Sequence, residues 1–303
     1  MSTPTVAPSV RPSLPAMLLR TMRPKQWIKN LFVLSPLMFS QHLFELSTLL
    51  LSLAGFAVFS LTASAIYLVN DIFDARTDRL HPVKAKRPIA SGALGLPAAW
   101  TTALLLGALA LALALLVGGD LAIVIGAYLA MNLVYSAFLK RAVIIDVMTI
   151  AASFVLRIVA GAVVIDVPMS EWLLICTSLL ALFLGFSKRR HEITVLEEDA
   201  HIHRPVLLEY NTYFLDQMIS LVTASTLICY ILYTVADDTV LKFGSKNLLL
   251  TTPFVLYGLF RYLYLVHQRN TGGDPTSEFL SDKPLVLNVV LWAASVVLII
   301  YFR

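Results

Sequence analysis

TLLLSLAGFAVFSLTASAIYLVNDIFDARTD, residues 48–78, decides what kind of chain this is. From Thr48 to Val69 it carries no charge, and at about 1.5 Å per residue it is long enough to cross the hydrocarbon core of a bilayer as a helix. It then ends abruptly in Asn70-Asp71-Ile72-Phe73-Asp74-Ala75-Arg76-Thr77-Asp78. On a helix Asp71, Asp74 and Asp78 fall at i, i+3 and i+7 and share one face, with Asn70 one turn before Asp74. Three carboxylates at a membrane boundary are costly to keep without cations beside them. Oxygen ligands converging without His or Cys suit a hard cation, and Mg²⁺ takes a few carboxylates together with phosphate oxygens. The motif therefore predicts that Asn70, Asp71, Asp74 and Asp78 hold a Mg²⁺–diphosphate complex. The plainer alternative is a solvated charged turn capping a membrane helix.

Working outward, the whole chain has the same character. Of 303 residues 58% are hydrophobic and 14% charged. The mean hydropathy of +0.79 excludes a soluble globular protein. Apolar runs predict spans near 27–42, 48–69, 97–117, 121–139, 143–165, 171–187, 214–236, 248–266 and 284–302. None shows the alternation of a barrel strand, so the expected fold is all-α: a polytopic membrane protein with nine transmembrane helices around a cytoplasm-facing cavity. Residues 1–26, Pro- and Ser-rich without an apolar core, read as an interfacial cytoplasmic segment rather than a signal peptide, and 27–303 as one transmembrane domain. Arg11, Arg20, Arg23, Lys25 and Lys29 lie in the leader. Further basic residues follow spans two, four, six and eight, whereas the other side has only Lys242, Lys246 and Arg303. That asymmetry places the N-terminus inside and the C-terminus outside. Cys176 and Cys229 lie within spans and read as packing residues.

The remaining polar chemistry concentrates on the N-terminal side of the membrane. Behind the acid run, Lys84, Lys86 and Arg87 sit in a segment broken by Pro82, Pro88 and Gly92, suited to holding phosphate oxygens. Tyr135 and Lys140 close span four. Asp146 and Arg157 follow on span five, about three turns apart, and are expected to face one cavity. Lys188, Arg189, Arg190, His191 and Glu192 leave span six. The acids 197–199 and His201-Ile202-His203 beyond them read as a solvated loop, without the further ligands a zinc site needs. Gly272-Gly273-Asp274-Pro275 marks a turn, and Asp282 and Lys283 are expected at the cytoplasmic mouth.

Together these residues resemble the UbiA superfamily of intramembrane transferases, on the NDxxDxxxD motif, the Lys/Arg-Pro segment and Tyr135-Ser136 with Leu139-Lys140 ahead of Asp146. The leader Arg23-Pro24-Lys25-Gln26-Trp27-Ile28-Lys29-Asn30, with Tyr67-Leu68-Val69, His81-Pro82 and Lys188-Arg189, resembles the branch of decaprenyl-phosphate phosphoribosyltransferases. Prenyl-transferring members usually carry a second Asp-rich motif, DxxxD, after span four. Here Asp146 is followed four residues later by Ile150, which reduces that motif to one Asp.

The resemblance implies Mg²⁺-dependent transfer of 5-phosphoribosyl from phosphoribosyl diphosphate to a polyprenyl phosphate, for envelope polysaccharide precursors in a bacterial plasma membrane. It implies reaction-centre roles for Asp71, Asp74, Asp78, Tyr135, Lys140 and Asp146. Phosphate binding would fall to Lys25, Lys29, Asn70, Lys84, Arg87, Arg157, Lys188 and Arg189. The partners are the two substrates and the bilayer, with a homo-oligomer compatible and no nucleic acid. A UbiA-type prenyltransferase would share the metal site but need the second acidic motif and fewer cations. A transporter would place its charges nearer the midplane. A silent scaffold would tolerate Asp71→Asn with Asp74→Asn.

Overall fold

The computed structural model describes residues 13–80, 83–196, 205–269 and 273–302, and these contain helices and no strand. Among the described residues eight helices are long and apolar enough to cross a membrane. They are α3 (Leu46–Phe73), α5 (Leu96–Val117), α6 (Gly119–Ala137), α7 (Ile145–Val164), α8 (Glu171–Leu196), α9 (Thr212–Val235), α11 (Thr252–Gln268) and α13 (Lys283–Tyr301). Shorter helices join them: α1 (Leu14–Met22), α2 (Ser35–Phe39), α4 (Ala75–Asp78), α10 (Asp237–Phe243) and α12 (Pro275–Ser281). Local chemistry sets the ends. The Asn211 side chain accepts the Phe214 N–H at 2.7 Å to open α9, and Asp282 accepts the Leu285 N–H at 2.9 Å to open α13. Gly118 and Gly119 turn α5 straight into α6.

Where the sequence predicts a ninth helix over 27–42, the chain forms an 11-residue 3₁₀ segment, Pro24–Leu34, followed by the five-residue α2. This stretch runs from one end of the bundle to the other. Near its start Gln26 bonds Asp274, and just past its end Gln41 bonds the Lys242 carbonyl and the Leu43 N–H meets the Tyr301 hydroxyl. A 3₁₀ helix rises about 2.0 Å per residue, so the two pieces together cover about 30 Å, roughly one hydrocarbon thickness. With about three residues per turn, Trp27, Asn30, Val33 and Pro36 fall in one column, packed on α3 and α7. Trp27 bonds Ser64 at 3.1 Å, Asn30 bonds Ser60 at 3.0 Å, and the Val33 carbonyl lies against Gly161, where a Cβ would sit 2.0 Å away. Gln26, Lys29, Phe32, Ser35 and Met38 form the neighbouring column and face a cavity.

That cavity, about 2090 Å³, is enclosed by the 3₁₀ segment with α3, α6, α7, α8, α9, α11 and α13. Charged side chains gather at the end where α3 finishes and α7 begins. Toward the other end the wall turns to Phe39, Trp172, Tyr233 and Trp292, with Glu171, Asp238 and Lys242 at the far rim. The outermost helices α5 and α13 bury only 17% of their spanning windows and expose Leu104, Leu105, Leu115, Leu116, Leu287 and Leu298, a surface that suits lipid and not water. The protein is a multi-pass membrane protein.

Candidate active site

The acid motif keeps its helical path although α3 stops at Phe73. The Asp74 N–H still donates to the Asn70 carbonyl at 2.9 Å, and the Asp78 N–H to that of Asp74 at 2.8 Å. Asn70, Asp71, Asp74 and Asp78 therefore all reach the cavity wall. Basic partners from three other segments meet them. Arg87 places one nitrogen 3.1 Å from Asp71 and 2.6 Å from Asp78, and Arg23 pairs with the same Asp71 oxygen. Lys140, in the turn after α6, pairs with Asp74 at 2.5 Å, and the Ser136 hydroxyl donates to Asn70 Oδ1. Asp71 is 2% exposed and Asp78 4%, a depth at which an unpaired carboxylate would cost several kcal/mol.

Each of the three carboxylates spends one oxygen on its cation, and the other accepts no hydrogen bond from a described residue. Hard oxygen donors with an open lone pair fit Mg²⁺. Among the described residues no cluster of three or more Asp, Glu, His or Cys is already drawn together around a metal-sized gap, and Arg23, Arg87 and Lys140 stand against the acids instead.

Of the residues singled out from sequence, Lys25, Lys29, Lys84, Arg87, Tyr135, Lys140, Arg157 and Lys188 join the acids on this one cavity. Two do not. Asp146 and Arg189 are each 0% exposed and lie off the cavity wall. Asp146, in the first turn of α7, accepts from Arg189 Nε at 2.7 Å and from the Tyr210 hydroxyl at 2.8 Å, and Arg189 also reaches Glu192 at 2.5 Å. Burial, with the Asp146 carboxylate beside it, pushes the Tyr210 hydroxyl up to about 12, so it remains a donor. Asp146 thus clamps α7 to α8 and to the segment before α9, where the sequence predicts a place at the reaction centre. Nor do Asp146 and Arg157 face one cavity, although they lie near one face of α7. Arg157 lines the cavity three turns further on, held by Asn30 at 2.9 Å, Tyr128 at 3.1 Å and the Ser153 carbonyl at 2.7 Å.

Asp282 and Lys283 are also absent from the mouth: Asp282 pairs with Arg261 at 2.8 Å while it caps α13. His81-Pro82, the acids 197–199, His201, His203 and Gly272 lie outside the described residues.

Three contributors were invisible as site residues in the sequence. Arg23 belongs to the leader motif, but only the fold shows that it reaches Asp71. Gln26 donates to Asp274 at 2.8 Å and accepts from Thr276 at 3.2 Å, which ties the turn before α12 across the cavity mouth. Burial alone would raise the Asp274 carboxyl, but Lys29, Ser277, Gln26 and Lys188 outweigh it and hold it below the usual range. The partners are more than 240 positions apart in sequence, and no local pattern announces them.

Comparison with known proteins agrees with this geometry. The model of the UbiA prenyltransferase family matches residues 31–281. Decaprenyl-phosphate phosphoribosyltransferase of Mycobacterium tuberculosis (strain ATCC 25618 / H37Rv) is 32% identical over 288 residues, 94% of each chain. The protein of the same name from Corynebacterium glutamicum is 33% identical over 289 residues, 94% of this chain and 86% of its own. Among solved structures, a UbiA homolog from Archaeoglobus fulgidus bound to GPP and Mg²⁺ superposes with a TM-score of 0.69 at 18% identity, over 94% of this chain and 99% of that one, and so shares the fold. The acid-lined cavity of this bundle, and a family model that matches residues 31–281 around it, make the chain a member of the UbiA prenyltransferase family.

Proposed function

We propose that this protein transfers a 5-phosphoribosyl group from phosphoribosyl diphosphate to a polyprenyl phosphate and releases diphosphate. One observation carries the reading: a single carboxylate cluster shares its cavity with Arg23, Lys25, Lys29, Lys84, Arg87, Lys140, Arg157 and Lys188, while the remnant of the second acidic motif, Asp146, is spent on Arg189. That arrangement suits one metal–diphosphate group and several further phosphates. The names of relatives 32–33% identical over nearly the whole chain point the same way.

Asn70, Asp71, Asp74 and Asp78 would hold Mg²⁺, which when bound neutralises the charge that builds on the departing diphosphate. Arg23 and Arg87 stand beside the same acids and are placed to take the outer phosphate oxygens. Tyr135 and Lys140 flank the site from the end of α6. A lipid phosphate is already an anionic nucleophile, so the residues need only position it, and no general base is required. The charged end faces the cytoplasm of a bacterial plasma membrane, with the N-terminus inside and the C-terminus outside. Residues 27–303 act as one domain, and the product serves cell-envelope polysaccharide synthesis.

The test is incubation of the detergent-purified protein with Mg²⁺, radiolabelled phosphoribosyl diphosphate and polyprenyl phosphate. Label should enter the organic phase with the wild type and disappear in Asp71→Asn and Asp74→Asn. No label, together with prenyl transfer from an isoprenyl diphosphate to an aromatic acid, would replace this reading with prenyl transfer.

A further inference from the structure

We infer that Lys29 and Arg157 form a second anion seat, deeper than the acid cluster and separate from it, that receives the phosphate monoester of one substrate. Arg157 is the thirteenth of the 20 residues of α7 and 3% exposed, yet it borders the cavity. Its guanidinium donates to Asn30 Oδ1, the Tyr128 hydroxyl, and the carbonyl and hydroxyl of Ser153, at 2.7–3.3 Å. Its carbon lies 5.0–5.2 Å from the ring centres of Phe59, Tyr128 and Phe154. Every one of these partners is neutral. They orient the guanidinium and pay none of its charge, so a full positive charge stands far inside the bundle with no carboxylate bonded to it. Lys29 stands on the same cavity wall, one residue before the Asn30 that holds Arg157, and makes no hydrogen bond or close ion pair with a described residue. Lys29 also acts on the Asp274 carboxylate at the cavity mouth, but beyond hydrogen-bonding or ion-pair distance, and Arg157 has no such carboxylate, so the two cations repel each other unless an anion comes between them.

Depth follows from the shared contacts. Asn30 bonds both Arg157 and Ser60, and Ser60 lies 11 residues before Asp71 on α3, about 16 Å along the helix. Below that level the wall is mostly apolar, with Phe39, Trp172, Tyr233 and Trp292, until Glu171, Asp238 and Lys242 at the far end. A group seated there is too far in to share a metal with Asp71, and it opens onto space that accepts hydrocarbon.

On the proposed reaction, on which this identification of the ligand rests, both substrates end in a phosphate monoester: the lipid phosphate and the 5-phosphate of the sugar. The direction of displacement favours the lipid. The anomeric carbon–oxygen bond breaks with its electron pair leaving on the diphosphate, at the acid cluster. The new bond forms from a lipid phosphate oxygen on the opposite side, which is the deeper side, and no proton moves. The isoprenoid tail then continues into the apolar half of the cavity.

The test measures binding without turnover. The full-length protein in detergent is titrated calorimetrically with farnesyl phosphate and, separately, with ribose 5-phosphate, as wild type, Lys29→Gln and Arg157→Lys. Lys29→Gln breaks no hydrogen bond, so its folding is secure if Arg157→Lys fails to fold. We expect farnesyl phosphate binding to weaken at least about tenfold, the scale of one lost charge-assisted contact, with ribose 5-phosphate unaffected. The reverse pattern keeps the seat and gives it to the sugar. Unchanged affinity for both ligands in Lys29→Gln overturns the seat. A wild type that binds a monoester but transfers no label keeps the seat and removes the transferase reading.

Discussion

Replacing Asp146 by Asn separates a clamp from a catalytic carboxylate. Both Asp146 and Arg189 are 0% exposed, and their 2.7 Å contact is backed by the Tyr210 hydroxyl at 2.8 Å. Removing one member of a fully buried ion pair costs about 3–5 kcal/mol, because the other charge stays behind in a poor solvent. Arg189 keeps Glu192, whose side chain is 18% exposed, so the loss should fall near the lower end, about 3 kcal/mol. The amide can still accept from Tyr210, which leaves that term largely intact. Thermal unfolding in detergent should therefore move down by about 5–10 °C. Label transfer by the folded fraction, measured well below that midpoint, should stay within about threefold of wild type, since Asp146 does not border the cavity. A variant as stable as wild type but inactive would refute the clamp and return Asp146 to the chemistry.

Three further outcomes are expected. Arg87→Gln leaves Asp71 with Arg23 alone and takes from Asp78 its ion pair with Arg87, so the protein should unfold about 3 kcal/mol more easily and regain more stability from millimolar Mg²⁺ than wild type does; equal gains would count against metal binding by these acids. Gly161→Ala drives a methyl into the Val33 carbonyl and should cost about 3 kcal/mol in thermal or denaturant unfolding, whereas Gly107→Ala, which meets nothing within 4 Å, should cost nothing; matching melts for the two would sink the close approach. The hydrogen bond from Arg261 holds the Asp282 carboxyl below the usual range. Its contribution is present above the unfolded value of about 4 and lost as pH falls through the lower folded value, so wild-type stability should drop more steeply than that of Asp282→Asn as pH falls below about 4.

Hydropathy made eight of the nine predicted crossings legible because long apolar runs leave a helix as the only economical way across a bilayer. Helix ends shifted by a few residues: α8 runs to Leu196, since Lys188, Arg189 and Glu192 carry it past the apolar run. The 27–42 run was legible as a span but not as a 3₁₀ segment, because its pattern repeats every three residues and a reading tuned to 3.6 sees only a short run interrupted by Pro36. The acid motif was legible because its donors are neighbours on one helix. The partners of those donors were legible only as a pool of cations. Whether Arg87 reaches Asp71, or Arg189 turns away to Asp146, depends on how helices distant in sequence pack, and residue spacing carries nothing about that.

The three-residue repeat of Pro24–Leu34 also fixes how this segment can change length. One residue added or removed there turns everything beyond it by about 120°, which would present Trp27, Asn30 and Val33 to the cavity or drive Lys29 and Phe32 into the contact with α3 and α7. Such a slip exchanges the packed column for the lining column in one step, where an ordinary helix would meet a less complete mismatch. Three residues restore the phase, at the expense of about 6 Å in reach. Insertions and deletions in this stretch should therefore be tolerated in threes or not at all, a reading frame set by backbone geometry.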